Sequence, residues 1–431
     1  MGTDTREKYA RYVNTSFTAG LEPIVYDRAE GANVYAEDGR RYIDCFSGIS
    51  VVNAGHGHPK VREAAKVQID RLIHASSYSY YVQPVADLAE RLAAVTPGRL
   101  QKTFFANSGA EGIEAALRMA KAFTGRHEFI ALERSFHGRS AGTLSVTGNM
   151  SRKTRGGPYL SGVAFAPTPY PYRSRFGSDP ETVAEQAAAA VEDVIRYHTS
   201  GDVAAFIAEP VMGEGGIIVP PRSYLPRVKE ILDRYGVLLI ADEVQCGFGR
   251  TGKLFAVEHF GVEPDILVSA KGIADGFPLS ATIARPEVAD AFRPGEHLST
   301  FGGNPVSCAA AIANVDVMLS EDLPGRAARL GEQAMSTLRS QARDLESVGE
   351  VRGLGFMIGV ELVKSRATKQ PDAALARAVR DFCRERGVLI GVGGADGNVL
   401  RLQPPLVIEE QDLEEALSVV LDGVRAQVAA V

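Results

Sequence analysis

The segment Val237-Leu238-Leu239-Ile240-Ala241-Asp242 places five apolar residues in a row before a carboxylate. A continuous apolar run of this length is typical of a strand that is buried on both faces of a parallel sheet. Similar runs alternate with helical patterns through the middle of the chain, at residues 103–106, 129–132, 203–208, 266–269 and 279–284. This rhythm predicts an α/β fold in which helices cover both faces of the sheet.

The C-terminal part of the chain follows a different pattern. Strand-like runs at residues 357–362 and 399–402 alternate with helical stretches near 323–342 and 373–386, and a last helix follows. We therefore expect a smaller α+β domain at residues 321–431 after a large domain at residues 61–320. Residues 1–60 contain strand-like pieces around turn signals, and this N-terminal segment is expected to pack with the smaller domain.

Composition and charge exclude several classes of function. The 431 residues are 45% hydrophobic and 23% charged, with a net charge of −6 and no run of lysine or arginine, so neither nucleic acid nor a membrane is expected as a partner. Four scattered cysteines without CxxC spacing argue against a disulfide framework and a zinc cluster. We see no signal-peptide core and no apolar run of about 18 residues, and a cytoplasmic location is expected.

Chemically unusual residues follow nearly every predicted strand. In α/β sheets, binding sites lie at the carboxyl ends of the strands. The segments at these positions are Asn107-Ser108-Gly109, Phe136-His137-Gly138-Arg139, Glu209-Pro210, Asp242-Glu243 and Lys271. Their repeated placement predicts one site at this edge of the sheet.

The first of these segments opens a helix. Ser108 is placed as its N-cap, and Glu111 stands three residues later as in a capping box. The free N–H groups and the positive end of the helix dipole suit a phosphate group. A well-capped helix without a ligand has the same signature, so this segment alone leaves both interpretations open.

Asp242 and Lys271 are the strongest candidates for chemistry. A carboxylate at the end of a buried strand is costly unless it meets a cation or hydrogen-bond donors, and a protonated pyridine nitrogen would be such a partner. A lysine withdrawn from water has a lowered pKa and can act as the neutral amine that forms a Schiff base. Taken singly, each has an ordinary alternative: a structural aspartate at a turn and a surface lysine.

Taken together, the motifs resemble those of class III aminotransferases in order and spacing, over essentially the whole chain. The matching runs are Asn107-Ser108-Gly109-Ala110-Glu111, Phe136-His137-Gly138-Arg139, Glu209-Pro210-Val211, Ala241-Asp242-Glu243-Val244-Gln245, Ala270-Lys271-Gly272, Thr300-Phe301-Gly302-Gly303-Asn304-Pro305 and Val399-Leu400-Arg401. The resemblance implies the α/β fold type I architecture of pyridoxal 5′-phosphate (PLP) enzymes, in which the large domain has a mixed, mostly parallel sheet and a smaller α+β domain follows. It also implies a homodimer with active sites at the subunit interface, with a tetramer as the alternative.

The resemblance implies a role for each motif residue. Lys271 would be the Schiff-base lysine and proton carrier, and Asp242 would pair with the pyridine nitrogen. The other implied cofactor contacts are Gln245 at the ring 3-oxygen, Phe136 on the ring face with His137 beside it, and Ser108, Gly109 and Ala110 at the phosphate, joined by Thr300 from the neighbouring subunit.

Substrate recognition depends on arginines, because each carboxylate of 2-oxoglutarate or glutamate is best met by a bidentate arginine. The resemblance implies that Arg401 holds the α-carboxylate and Arg139 the distal one. Glu209 is expected to pair with Arg401 when the donor lacks an α-carboxylate. The alternatives are a surface or interface salt bridge for Arg139 and a structural strand-end acid for Glu209. Ile49 and Tyr78 are also expected to contact the substrate. An isoleucine at residue 49 resembles the 4-aminobutyrate enzymes, whereas the hydroxyl-rich stretch around Tyr78 is less typical of them, and other segments also resemble alanine–glyoxylate and broad ω-transaminases.

These residues predict a ping-pong transfer from an ω-amino acid such as 4-aminobutyrate to 2-oxoglutarate. The alternatives are a broad ω-amine or alanine-type transaminase that uses pyruvate or glyoxylate, and an ornithine or acetylornithine type. A nicotinamide dehydrogenase is not expected, because the glycine-rich segment Gly213-Glu214-Gly215-Gly216 is not a G-x-G-x-x-G between a strand and a helix. A non-catalytic relative would be expected to lack Lys271 or Asp242.

Overall fold

The computed structural model describes residues 4–16, 18 and 20–429, with side chains described as far as residue 427. Parts of the predicted first and last segments, residues 1–3, 17, 19, 430 and 431, lie outside the described residues. The strands are β1 (Tyr26–Glu30), β2 (Asn33–Ala36), β3 (Arg41–Asp44), β4 (Lys102–Ala106), β5 (Glu128–Leu132), β6 (Val163–Ala166), β7 (Val203–Ala208), β8 (Leu238–Asp242), β9 (Ile266–Ser269), β10 (Ser280–Ala284), β11 (Val348–Leu354), β12 (Met357–Leu362), β13 (Val388–Leu389), β14 (Gly391–Gly393) and β15 (Val399–Leu402).

Helices of very different length connect these strands. They are α1 (Thr5–Tyr12), α2 (Ser47–Ser50), α3 (Pro59–Arg71), α4 (Gln83–Val95), α5 (Gly109–Thr124), α6 (Ala141–Ser145), α7 (Pro180–Tyr197), α8 (Tyr224–Tyr235), α9 (Pro286–Ala289), α10 (Pro305–Ser320), α11 (Leu323–Gln341), α12 (Ala373–Glu385) and α13 (Glu410–Ala429). Within the described residues, no helix is both long enough and apolar enough to cross a membrane.

The central sheet has seven strands in the order β4-β10-β9-β8-β7-β5-β6. Strand β10 runs antiparallel to β4 and β9, and all other neighbours are parallel. The predicted α/β fold with a mixed, mostly parallel sheet is therefore confirmed. Strand β6 was not expected from the sequence, because it is a short edge strand and only its last residue is buried.

Alternate residues of the central strands pack on opposite faces of this sheet. In β8, Leu238 and Ile240 join the apolar cluster that contains Ile113 of α5. Leu239 points the other way, into the larger cluster that contains Val191 of α7. Because helices cover both faces, all residues of β7, β8 and β9 are buried, which is why these strands read as continuous apolar runs.

Two four-stranded sheets lie outside the central one, in the orders β1-β2-β3-β13 and β11-β12-β15-β14. The short strand β13 pairs in parallel with β3, so the N-terminal segment and the C-terminal part are joined by backbone hydrogen bonds. They also share an apolar core in which Ile43 of β3 packs with Leu400 of β15 and Val420 of α13. The domain boundaries at residues 60 and 320 stay predictions.

Candidate active site

A cavity of about 330 Å³ opens where β7, β8 and β9 end. Its walls come from the turn before α5, the loop after β5 and the segments that follow these three strands. Among the residues predicted from the sequence, it is lined by Ser108, Gly109, Ala110, Phe136, His137, Glu209, Asp242, Gln245 and Lys271. Tertiary structure therefore brings together most of the predicted site.

Lys271 follows β9 and starts a short 3₁₀ turn, Lys271–Ile273, with a left-handed backbone φ of 46°. Burial lowers the pKa of its ammonium group, which favours the neutral amine. The side-chain amide of Asn314 fixes the turn, because its Nδ2 donates to the carbonyl oxygens of Gly272 at 2.8 Å and Ile273 at 3.0 Å. Gly272 is needed here because a Cβ would lie 2.5 Å from Nδ2 of Asn53.

Asp242, the last residue of β8, is held by a histidine. Its Oδ2 accepts a hydrogen bond from Nδ1 of His137 at 2.7 Å, and its Oδ1 accepts from the backbone N–H of Val244 at 3.0 Å. The backbone N–H of His137 in turn donates to Oγ1 of Thr147 at 3.0 Å. Both Asp242 and His137 are buried. The acid is thus fixed in orientation on the cavity wall, where a cationic ring nitrogen would complete its partners.

The turn before α5 matches the prediction for Ser108 but not for Glu111. The Oγ of Ser108 accepts from the backbone N–H of Glu111 at 3.3 Å, so Ser108 is the N-cap. The carboxylate of Glu111 accepts from the backbone N–H of Asn107 at 3.0 Å, one residue before the position that a capping box requires. The N–H groups of Gly109 and Ala110, in the first turn, have no helical partner and line the cavity.

Gln245 lies against a glycine. A Cβ on Gly213 would lie 1.6 Å from Oε1 of Gln245, so only glycine at residue 213 leaves room for this amide. The Nε2 of Gln245 is 3.4 Å from Oε1 of Gln403. The amide oxygen of Gln245 is therefore positioned by packing more than by hydrogen bonds.

Phe136 and Arg139, which both lie in the loop after β5, differ in their exposure to solvent. Phe136 lines the cavity, whereas Arg139 is exposed and its guanidinium carbon lies 5.4 Å from the centre of the Phe136 ring. Among the described residues, no acidic side chain lies within 4.0 Å of Arg139. The surface salt bridge that is the alternative for Arg139 is therefore not formed among the described residues.

Tyr78 does not point into the cavity, contrary to the prediction that it contacts the substrate. Its hydroxyl donates to the carbonyl oxygen of Phe105 at 2.7 Å and accepts from the N–H of the same residue at 2.9 Å. Strand β4 is an edge strand, and the tyrosine satisfies backbone groups that no neighbouring strand reaches. Thr300 is exposed and lines a second cavity that also includes Ser108 and Ala110; its placement in a neighbouring active site stays a prediction.

Ile49 lies in a left-handed turn. Ser47, Gly48, Ile49 and Ser50 all have positive φ angles, between 52° and 71°. Such a conformation costs a non-glycine residue about 1 to 2 kcal/mol, and a β-branched residue adopts it only where the surroundings impose it. The side chain of Ile49 is 40% exposed and does not line the cavity within one chain, although Val51 does.

Glu209 is the clearest correction to the sequence prediction, because it does not pair with Arg401. Its Oε1 accepts from the backbone N–H of Phe136 at 3.0 Å, and its Oε2 accepts from that of Gly213 at 2.8 Å. Burial raises the pKa of this carboxyl to about 7. Glu209 therefore holds two loops of the cavity wall together, and both of its oxygens are already used.

Arg401 pairs instead with Glu214. The Nη1 of Arg401, on β15, lies 2.7 Å from Oε1 of Glu214, and Oε2 of Glu214 lies 2.9 Å from Nη2 of Arg152. Burial alone would raise the pKa of Glu214, but the two arginines hold it at about 2. The signal in the sequence is an acid, Glu214, within the glycine-rich segment Gly213-Glu214-Gly215-Gly216.

Comparison with known proteins identifies the family. The model of the class III aminotransferase family matches residues 16–422. The chain belongs to the class III aminotransferases. It is 44% identical to an acetylornithine aminotransferase of Methanothermobacter thermautotrophicus over 92% of this chain and 93% of the relative. It is 36% identical to a probable 4-aminobutyrate aminotransferase of Bacillus subtilis, over 98% and 97% respectively.

A solved structure agrees with this assignment. An amine transaminase from an uncultivated Pseudomonas species, solved in the PLP-bound form, is 35% identical, with a TM-score of 0.91 and coverage of 97% of this chain and 98% of that one. Class III aminotransferases depend on PLP. The residues of the cavity fit this cofactor: a buried amine with a lowered pKa, a buried carboxylate, and a helix N-terminus with free N–H groups. When bound, PLP acts as an electron sink for bond breaking at the amino-bearing carbon.

Proposed function

We propose that this aminotransferase moves an amino group from an ω-amino acid of the 4-aminobutyrate kind to 2-oxoglutarate by a ping-pong mechanism. The observation that carries the proposal is the buried pair of Glu214 and Arg401, with 2.7 Å between Oε1 and Nη1. An ω-amino donor has no carboxylate on its reacting carbon. In that half-reaction Glu214 satisfies Arg401, and breaking a buried pair otherwise costs about 3 to 5 kcal/mol.

In the acceptor half-reaction, Arg401 has to release Glu214 and bind the substrate. A 2-oxo acid brings an α-carboxylate, which competes with Glu214 for the same guanidinium group. The Nε of Arg401 has no hydrogen-bond partner among the described residues, and Nη2 is 3.5 Å from the carbonyl oxygen of Val392. The donors that Glu214 now occupies would become available to an α-carboxylate once Glu214 moves away, and charge-assisted hydrogen bonds of this kind support binding of the acid.

Arg139 is proposed as the site for the distal carboxylate of donor and acceptor. It is exposed next to Phe136, and no acid within the described part of the chain neutralises it. Such an unpaired arginine beside an apolar wall favours a dicarboxylate such as 2-oxoglutarate over pyruvate or glyoxylate. Ile49 is proposed to contact the donor from the edge of the cavity.

Each cofactor residue takes the role that its surroundings support. Lys271, as a neutral amine, would attach the cofactor and carry a proton to and from the reacting carbon. Asp242 would keep the ring nitrogen protonated, Phe136 would cover the ring, and Gln245 would bond the 3-oxygen. The carboxylate of Glu209, in contrast, is proposed to position Phe136 and Gly213 and to touch no substrate.

A second donor class has specific support. The identity of 44% to an acetylornithine aminotransferase favours N-acetylornithine, which also reacts through an ω-amine and also ends in a carboxylate. The Glu214 and Arg401 pair suits both donors equally. A donor comparison is therefore the decisive measurement.

We also propose a homodimer, with a tetramer of such dimers as the alternative. Residues 72–81 and 298–304 lie side by side, since Ser77 donates to the carbonyl oxygen of Gly302 at 2.8 Å and the rings of His74 and Phe301 are 5.3 Å apart. This surface exposes Ile73, Tyr80, Tyr81, Leu298 and Phe301. An apolar surface of this kind supports an interface. The four cysteines are free and buried, which supports a cytoplasmic location.

The test is a set of separate half-reactions, followed by the visible absorption of the bound cofactor. Donors are 4-aminobutyrate, N-acetylornithine, ornithine, β-alanine, alanine and a chiral amine; acceptors are 2-oxoglutarate, pyruvate and glyoxylate. The proposal expects fast bleaching by an ω-amino acid and fast recovery with 2-oxoglutarate. Efficient recovery with pyruvate but not with 2-oxoglutarate would refute the role of Arg139.

A further inference from the structure

Glu214 has two arginine partners, and they come from separate parts of the fold. Arg401 belongs to β15, whereas Arg152 ends the short 3₁₀ turn Met150–Arg152 between α6 and β6. Each arginine takes a different oxygen of the carboxylate, at 2.7 Å for Arg401 and 2.9 Å for Arg152. Glu214 is therefore bridged between two guanidinium groups.

The two arginines differ in their surroundings. The side chain of Arg401 is 4% exposed and that of Arg152 is 33% exposed. Arg152 makes its described ion pair with Glu214 alone, and its Nε is buried without a partner among the described residues. Unused donors on Arg152 remain available if the carboxylate of Glu214 leaves Arg401.

The position of Arg152 is fixed by its own turn. The Oδ1 of Asn149 accepts from the backbone N–H of Ser151 at 3.1 Å and from its hydroxyl at 2.8 Å. The backbone N–H of Asn149 donates to the carbonyl oxygen of Ser135 at 3.0 Å, in the loop that carries Phe136. The guanidinium of Arg152 is thus presented to Glu214 by an anchored turn.

The charges explain why a second arginine is useful. When an α-carboxylate binds Arg401, the group consists of two carboxylates and two guanidinium groups, which balance. Without Arg152, two carboxylates would share one guanidinium in a buried site, and like charges that are poorly screened repel. Glu214 would then remain on Arg401 and exclude the acid.

We propose that Arg152 is a specificity-determining residue, which holds Glu214 whenever the α-carboxylate of a 2-oxo acid occupies Arg401. The inference rests on the proposed alternation between an ω-amino donor and a 2-oxo acid. Arg152 touches neither substrate nor cofactor in this scheme and acts through Glu214. Its effect therefore falls on substrates with an α-carboxylate.

The experiment compares half-reactions of the holoenzyme in four variants. Arg152→Gln should raise the apparent Kd for the 2-oxo acid at least 10-fold, and its effect on the ω-amino donor half-reaction should be at least five-fold smaller. Arg152→Lys, which keeps the charge, should retain most of the affinity for the acid. Arg155→Gln is the matched control, because Arg155 is an exposed arginine three residues along the same loop, and neither half-reaction should change.

The decisive variant is the double substitution Arg152→Gln with Glu214→Gln. If Arg152 acts by holding Glu214, removing the competing carboxylate restores the affinity for the acid to within about three-fold of the wild type. A merely structural role of Arg152 would leave the double variant as weak as Arg152→Gln. The Kd for glutarate, a dicarboxylate that cannot react, should rank the variants in the same order. Calorimetry measures this Kd without any turnover.

Failure of this inference can be told apart from failure of the proposed function. If the wild type uses pyruvate and not 2-oxoglutarate, the proposed acceptor is wrong. Because both acids carry an α-carboxylate, the four variants can then be compared with one another in the half-reaction with pyruvate. Equal losses in both half-reactions, or no recovery in the double variant, would overturn the role of Arg152. A selective loss that the double variant reverses supports it.

Discussion

Glu214 and Arg401 form a buried ion pair near Lys271, with 2.7 Å between the carboxylate Oε1 and the guanidinium Nη1. Glu214 lies in a glycine-rich turn after β7, and Arg401 lies on β15 of another sheet. Backbone hydrogen bonding ties the two parts together, since the N–H of Gly394 donates to the carbonyl oxygen of Glu214 at 3.1 Å. Substrate choice in this aminotransferase is therefore expected to depend on Glu214.

Neutralising Glu214 should shift activity from ω-amino donors toward α-amino acids. In Glu214→Gln the positive charge of Arg401 is uncompensated unless a carboxylate binds, so kcat/KM for an ω-amino donor should fall about 10-fold or more, while that for an α-amino acid rises. Steady-state kinetics with 4-aminobutyrate and alanine measure both. The exposed Glu185 provides a control in Glu185→Gln, and unchanged selectivity in Glu214→Gln would count against the pair.

Removing the hydrogen bond between His137 and Asp242 should weaken catalysis without removing the acid itself. His137→Leu leaves Oδ2 of Asp242 without its donor at 2.7 Å, and an unsatisfied buried group costs about 1 to 3 kcal/mol. We expect kcat to fall about 10-fold or more in this variant. His137→Asn can still donate from a similar position and should lose less. Equal kcat values for the two variants would show that the hydrogen bond is unimportant.

Local sequence patterns were sufficient to predict six of the seven strands of the central sheet and most of the predicted residues that line the cavity. The run before Asp242 is apolar because β8 is buried on both faces, and the position of Lys271 follows from the end of β9. These features depend on neighbours in the chain. The runs of apolar residues and the positions where the strands end can therefore be predicted from the sequence.

Contacts between distant segments could not be read in this way. Glu209 and Glu214 both follow β7, and only the packing of β15 against this region decides which of them meets Arg401. Tyr78 stands in a stretch that resembles substrate-binding segments, yet the unpaired edge of β4 captures its hydroxyl. Arg152 carried no signal, because an arginine in a polar loop is ordinary.

Asp275 should make stability depend on pH. Burial raises the pKa of its carboxyl from 3.8 to about 7, and its Oδ2 has no partner among the described residues. Because the pKa is higher in the folded state than in the unfolded state, the free energy of unfolding falls as pH rises from 3.8 to about 7. Above pH 7 this loss of stability is complete. The Tm of Asp275→Asn relative to the wild type should therefore increase from pH 5 to pH 8. A difference that stays constant, as expected for the exposed Asp193→Asn, would contradict this.

Gly213 should be required for cofactor binding through Gln245. The Cβ of Gly213→Ala would overlap Oε1 of Gln245, at 1.6 Å, and push the amide out of place. We expect the Kd for PLP to rise about 10-fold, as for loss of a hydrogen bond to a charged group. Gln245→Ala should have a similar effect, and the double variant should add nothing further. Additive losses in the PLP titration would place the effect of Gly213 elsewhere.

The central claim, that Lys271 attaches the cofactor, is tested most directly by borohydride reduction of the holoenzyme followed by peptide mass spectrometry. The wild type should carry the pyridoxyl mass on the peptide that contains Lys271, and Lys271→Ala should carry it nowhere while it keeps its fold. Lys253→Ala, at an exposed lysine, should be labelled like the wild type. Stable labelling of another lysine in the wild type, or persistent covalent cofactor in Lys271→Ala, would contradict the assignment.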